Sequence, residues 1–334
     1  MTESAIPEHL TVERTRPVRT PDGFTPPSPS FVARPPLDQR QVVMAYLGVQ
    51  AEDPVAELPP EALAGDAAPR HVDRALVPSD DPGRAPGDAV VVAYWDDPEA
   101  FDHWLATHRR AWLDGPGGRW LEVIRPRVER YETITGRRSR PEGVAHLAQG
   151  YSDQVLEHAY WGSMRDRMPA SQDEDLDDPG HLEVERDGDV VRVRPTGSVC
   201  LIRSGQDWSD TAGDERERYL TDIEPRLREG MDFLHEEGPD VGCWSNRYLT
   251  VLDDDGAPVE RTFGLGWWRT MADLERWSES HPSHLAIFDS FVKLVAEQRG
   301  TTIRLYHEVS VAHPDECLFE YARCHDRTGL LRAL

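Results

Sequence analysis

At 334 residues, with 38% hydrophobic side chains and a formal net charge of -24, the chain can bury one large core or two moderate ones. That charge argues against nucleic acid or an anionic membrane surface as a partner, since both are polyanions. No stretch approaches the roughly 20 apolar residues of a membrane span, and the start MTESAIPEHL lacks the basic and apolar segments of a secretory signal, so a cytoplasmic location is expected. Four scattered cysteines, Cys200, Cys243, Cys317 and Cys324, form no CxxC or CxxCH. They read as reduced thiols, outside any disulfide framework, zinc site or covalent haem attachment.

Residues 1–40, rich in Pro, Arg and Ser, predict an extended arm laid over the surface. Residues 41–50 (QVVMAYLGVQ) read as a strand, and the acidic, Pro/Ala/Gly-rich stretch 52–89 as a long loop or insertion. A strand at 89–95 (AVVVAYW) then leads into an amphipathic helix at 98–112.

The same unit recurs. AYWDDPEAFDHWLATH (93–108) matches GWWRTMADLERWSESH (266–281), with Trp95/Trp268, Trp104/Trp277 and His108/His281 at one constant offset of 173 residues. Further strands are expected at 197–204, 243–252 and 302–312, with a helix at 214–236. Duplicated, interleaved strands and helices predict an α+β fold of two ferredoxin-like units, 41–195 and 196–334, packed sheet to sheet around a shared interior.

Several residues could carry chemistry, each with a bland alternative. A helix starting near Ser283 aligns His284, Phe288, Phe291 and Val295 on one buried stripe. His284 is then a metal ligand, or a satisfied core or capping histidine; its first-half equivalent is Ala111. Strand 302–312 alternates Ile303, Leu305, His307, Val309 and Val311 against Arg304, Tyr306, Glu308 and Ser310. His307, the one polar side chain of its face, suits a general acid/base or a core imidazole bonded to a carbonyl. In YWGSMRDR (160–167), Arg165 and Arg167 sit on a short turn or helix beside aromatic residues, where arginines commonly pair with carboxylates. Glu132 in RYETITG reads alike, and Ser204 in LIRSGQDW could be a turn cap. No GxSxG, HExxH, GxGxxG or Walker loop supports a hydrolase, zincin or nucleotide-binding reading.

Taken together, QVVMAYLGVQ, AYWDDP, YETI, YWGSMRDR, LIRSGQDW, EGMDFL, LERWSESHPSHL and RLYHEVSV run in order over nearly the whole chain. They resemble the haem-containing aldoxime dehydratases. The resemblance implies a lyase of dimeric α/β-barrel type that holds haem b, ferrous when active, and dehydrates aldoximes (R-CH=N-OH) to nitriles, as a homodimer. It implies His284 as proximal iron ligand, His307 as distal catalytic histidine, and Arg167, Glu132 and Ser204 as its polar companions. The chain departs from the family in 52–89 and in the EQRGTT connection, neither of which touches these residues. The competing classes are a haem peroxidase or chlorite-decomposing barrel, against which stands the missing GxxDG, and a cofactor-free α/β barrel in which both histidines are core residues.

Overall fold

The computed structural model describes residues 2–26, 28–59, 63–77, 88–159, 163–297 and 300–334. The arm carries β1 (Thr2–Glu3) and β2 (Ala33–Arg34), followed by β3 (Val43–Gln50), β4 (His71–Leu76), β5 (Asp88–Trp95), α1 (Pro98–Leu113), β6 (Gly118–Ile124) and β7 (Tyr131–Thr135). Next come β8 (Gly150–Tyr151), β9 (Gln154–Val155), the single-turn α2 (Ser163–Arg167), and the hairpin β10 (Leu182–Asp187) and β11 (Val190–Pro195). The second half holds β12 (Val199–Asp207), α3 (Gly213–Arg218), a π turn (Tyr219–Ile223), α4 (Glu224–Glu237), β13 (Cys243–Leu252) and β14 (Pro258–Trp268). It ends with α5 (Met271–Ser280), α6 (Pro282–Glu297), β15 (Arg304–Ala312) and β16 (Cys317–Ala322).

The alternating and fully apolar strand sequences pair into one twelve-stranded sheet of order β10-β11-β16-β6-β3-β5-β4-β13-β14-β12-β15-β7. Two runs within it, β6-β3-β5-β4 and β15-β12-β14-β13, each set the fourth, first, third and second strand of their segment side by side. Residues 52–89, expected as a loop, contain β4, which pairs with both β5 and β13 and so joins the two runs. HVDRAL escapes notice because it is short and half polar. Residues 60–62 and 78–87 of that stretch lie outside the described residues.

Alternation along the strands builds three apolar layers. Met44, Tyr46, Val92 and Trp120 of the first run meet Leu201, Leu249, Phe263 and Trp267 of the second in a shared interior. The opposite face of the first run, with Ala45, Leu47 and Trp95, packs on Phe101 and Trp104 of α1. The opposite face of the second, with Cys200, Trp268 and Val309, packs on Met231 of α4 and Leu274 and Trp277 of α5. The repeated tryptophans do the same job twice: Trp95 meets Trp104 at 5.4 Å between ring centroids, and Trp268 meets Trp277 at 5.7 Å. The histidines diverge, His108 lying on Trp104 and His281 stacking on Phe233.

Among the described residues the expected division at 195/196 is crossed by four strand pairings, including β4 with β13 and β11 with β16. β7, from the first segment, pairs with β15, and β16, from the second, pairs with β6. Charged groups inside the shared interior also bridge the runs. Arg203 of β12, fully buried, donates to Tyr94 Oη at 2.8 Å and to Asp73 Oδ2 at 2.6 Å. Tyr94 in turn donates to Glu308 Oε1 at 2.6 Å. Glu122 of β6 accepts both Nη atoms of Arg247 of β13 at 2.8 and 2.7 Å. Gly143 supplies the positive φ of 55° that brings the Val144 amide onto Glu308.

Removing one partner from a buried ion cluster strands the others, at about 3–5 kcal/mol. Arg203→Ala is therefore expected to destabilise the chain by about that amount, measured by urea unfolding. Arg110→Ala, breaking an exposed pair with Asp114 on the surface of α1, should leave the urea midpoint unchanged.

Candidate active site

The β12–β15 register places Ser204 opposite His307 and Arg203 opposite Glu308. Since neighbouring side chains leave opposite faces of a strand, Arg203 and Glu308 enter the shared interior, and Ser204 and His307 face the helical layer. Glu132 on β7 stands opposite Val309 of β15, two residues from His307 and on the same face. Arg167 arrives from the end of α2, donating Nε to Glu132 Oε2 at 2.6 Å and Nη1 to the Glu157 carbonyl at 2.9 Å. Three of the anticipated residues thus share one hydrogen-bonded cluster, and Ser204 is the cross-strand neighbour of its histidine.

His307 Nε2 lies 2.9 Å from Glu132 Oε1 and 2.9 Å from Arg167 Nη2. One ring nitrogen cannot serve both at once: protonated it donates to the carboxylate, unprotonated it accepts from the guanidinium. Burial alone would raise the Glu132 carboxyl, but Arg167 and His307 outweigh it and hold it below the ordinary carboxylate range. The ionised carboxylate therefore favours Nε2–H. Nδ1 has no hydrogen-bond partner among the described residues, and the His307 side chain, 25% exposed, is only half-buried.

His284 is elsewhere, on the first turn of α6. Pro282 starts this new helix just where the first-half repeat runs on unbroken through Ala111 in α1. Its Nδ1 lies 2.8 Å from the Ser278 carbonyl, and the ring meets Trp277 edge-on at 4.6 Å. Burial pushes the His284 imidazole down to about 4 despite that hydrogen bond. It is neutral at pH 7 with the proton on Nδ1, so Nε2 carries the lone pair, the form a metal ligand needs. The apolar stripe expected to be buried is not: His284, Phe288 and Phe291 are half-buried, Val295 is exposed, and Leu294 is the one buried residue described in α6. Ile202, Ser204, Leu305 and His307 on the sheet are likewise only partly covered. Among the described residues no three His, Cys, Asp or Glu side chains gather around a bare ion. A porphyrin asks for something else, one axial nitrogen beside apolar and aromatic side chains, and the residues of α6 fit it.

Sequence reading singled out Arg165 as a partner of carboxylates but missed Asp166 and Ser278, which also orient these groups. Asp166 is buried and bound by the arm, Arg165 is bonded to Glu275 and Asp177, and the Ser278 carbonyl fixes the His284 tautomer. The three consecutive charges of SMRDR on a single helical turn were the available signal.

The model of the haem-containing dehydratase family matches residues 45–330. The chain belongs to that family. It is 40% identical to the aliphatic aldoxime dehydratase of Rhodococcus erythropolis, over 99% of this chain and 98% of the relative. It is 33% identical to the phenylacetaldoxime dehydratase of Bacillus sp. (strain OxB-1), over 93% of each. A crystal structure of an aldoxime dehydratase in complex with butyraldoxime superposes with a TM-score of 0.91 at 39% identity, covering 99% of this chain and 96% of that one.

A carboxyl depressed in the folded state adds stability that is present above the unfolded carboxylate range, about 4.3 for Glu, and lost as pH falls through the folded value. Glu132→Gln also leaves Arg167 buried without its counter-charge. We expect this variant to be less stable than wild type at pH 7 by about 3 kcal/mol, with the gap narrowing below about pH 4. Urea midpoints across that pH range check it; a gap that stays constant contradicts an ionised Glu132.

Proposed function

We propose that this chain is an aldoxime dehydratase, a lyase that holds haem b through His284 and converts R-CH=N-OH to R-C≡N and water. The observation that carries the reading is the His307–Glu132–Arg167 cluster beside Ser204, in a chain of the haem-containing dehydratase family. The equal strand order of the two runs and their matching tryptophan pairs support a duplicated ferredoxin-like origin, of dimeric α/β-barrel type. A closed homodimer, the commonest symmetric assembly, and a cytoplasmic location belong to the same reading, the latter supported by four cysteines that are all free.

His284 would hold the haem, which would supply a ferrous iron as the source of electron density for the oxime. Hydroxide is a poor leaving group, so the protein must protonate the departing oxygen. In the imidazolium form Nε2–H of His307 is anchored on Glu132, and Nδ1–H is left to donate to the oxime oxygen. Ser204, one strand away on the same face, orients that hydroxyl by hydrogen bonding. Water leaves as the N–O bond breaks, and His307 becomes neutral with its remaining proton on Nε2. Nδ1 then takes the proton from the aldoxime carbon as the third C–N bond forms, which restores the imidazolium. Glu132 keeps the ring in one tautomer through both transfers, and Arg167 keeps Glu132 ionised.

Anaerobic reduction of the haem protein, followed by butyraldoxime or phenylacetaldoxime, should give a spectral shift and the corresponding nitrile. Production of nitrile by the ferric form alone contradicts the electron push. His284→Ala is expected to lose haem, read from the Soret band. His307→Ala should retain haem and lose turnover by roughly a hundredfold or more; full activity in that variant removes His307 from the mechanism.

A further inference from the structure

Residues 10–20 of the N-terminal arm run beside the α2 region. Thr15 and Arg16 N–H groups donate to the Gln172 carbonyl at 2.8 and 3.1 Å, and Gln172 Nε2 donates to the Leu10 carbonyl at 2.9 Å. The arm closes on α2 at Arg19 and Thr20. Asp166, 2% exposed, accepts the Arg19 amide at 3.0 Å, the Thr20 amide at 2.5 Å and the Thr20 hydroxyl at 2.6 Å. Thr20 Oγ1 also lies 2.9 Å from Ser163 Oγ. The adjacent Arg19 side chain reaches the other way, to Glu275 at 2.9 Å and Glu279 at 2.5 Å, both on α5. Those two carboxylates flank Ser278, whose carbonyl accepts from His284.

The α2 turn thus points three consecutive side chains at three elements. Arg165 holds Glu275 on α5 at 2.8 Å, Asp166 holds the arm, and Arg167 holds Glu132 and His307. We propose that Arg19 and Thr20 form a strap that fixes α2, and through it Arg167, relative to α5 and the Ser278–His284 turn. They are positioning residues, acting through Asp166 and Glu275 on the two sides of the site. This rests on the aldoxime dehydratase reading for its effect on turnover, but not for its effect on α2.

A helical turn as short as Ser163–Arg167 has little stability of its own, so its place is set by what ties it down. Small displacements of a positioning group cost rate rather than binding. Thr20→Val keeps the size of the side chain and removes the hydroxyl bonded to Asp166. Amide exchange of residues 163–167 in the haem-free chain tests the strap directly, and wild-type nitrile formation from butyraldoxime tests the function separately. The strap predicts faster exchange over 163–167 in Thr20→Val, one haem still bound per chain, and kcat about tenfold lower at a nearly unchanged KM. Thr20→Ser should recover both readouts. As a second variant, Arg19→Ala keeps the backbone contacts to Asp166 and should speed exchange in the last turn of α5 while sparing α2. Wild-type exchange in both variants overturns the proposal. So does a Thr20→Val chain that loses haem and helical signal together and is not recovered by Thr20→Ser, since the contact would then merely support the fold.

Discussion

A guanidinium taken wholly out of water must be met by partners or the fold is lost, and Arg203 is the place where this chain meets that condition. Its partners come from two separate strands, Asp73 on β4 and Tyr94 on β5, and Tyr94 passes the connection on to Glu308 of β15. Burial pushes the Glu308 carboxyl above its ordinary range despite Arg203, Tyr94 and the Val144 amide. The cluster is satisfied only when both runs of the sheet and the Gly143 turn are in place. At the other end of the interior, Glu122 and Arg247 repeat the arrangement, with Trp267 and Tyr321 donating to the same carboxylate at 2.7 and 2.9 Å and Arg247 lying over Trp120. Hydrophobic contact between two flat faces tolerates sliding; paired charges at fixed points do not.

The same register carries the chemistry. Arg203–Glu308 and Ser204–His307 are successive rungs of one ladder. A slip of one residue would turn the ion cluster out to the helical layer and Ser204 and His307 into the interior. The energetic penalty that forbids the slip arises in the shared interior, and its benefit appears on the opposite face of the second run, where His307 keeps its place against Glu132 within a hydrogen-bond length.

Much of this was legible in the sequence, but unevenly. The long apolar strands, the helix at 98–112 and the paired tryptophans were readable because their signals are local: period-two or helical spacing, and a constant offset between repeats. Glu132, Arg167, Ser204, His284 and His307 could each be singled out, but not given a role from the residues alone: Glu132, Arg167 and His307 depend on partners 35 to 175 positions away, Ser204 meets His307 only through strand pairing, and the bond of His284 to the nearby Ser278 carbonyl suits a core histidine equally well. The buried polar face of β15 was illegible for the same reason. Arg304, Tyr306 and Glu308 are buried because distant groups meet them, and nothing in RLYHEVSV reports on Asp73 or Tyr94. On α6 the error ran the other way: an apolar stripe implies a cover, but the spacing says nothing of whether polypeptide provides it.

The two halves share a strand order, yet only the second carries the proposed site, and the difference lies in what is laid on the second run from outside. β7 leaves the first segment to extend β15 and brings Glu132 to the face of His307. α2, also from the first segment, is fastened between the arm and α5 and brings Arg167 to the same point. Pro282 interrupts what in the first half is one helix and creates the turn on which His284 is held by Ser278. The second run thus supplies two of the groups, Ser204 and His307, on one register, and Glu132 and Arg167 reach them from the first segment. It follows that neither segment, cut at its expected boundary, contains the site: the second lacks Glu132 and Arg167, and the first lacks both histidines.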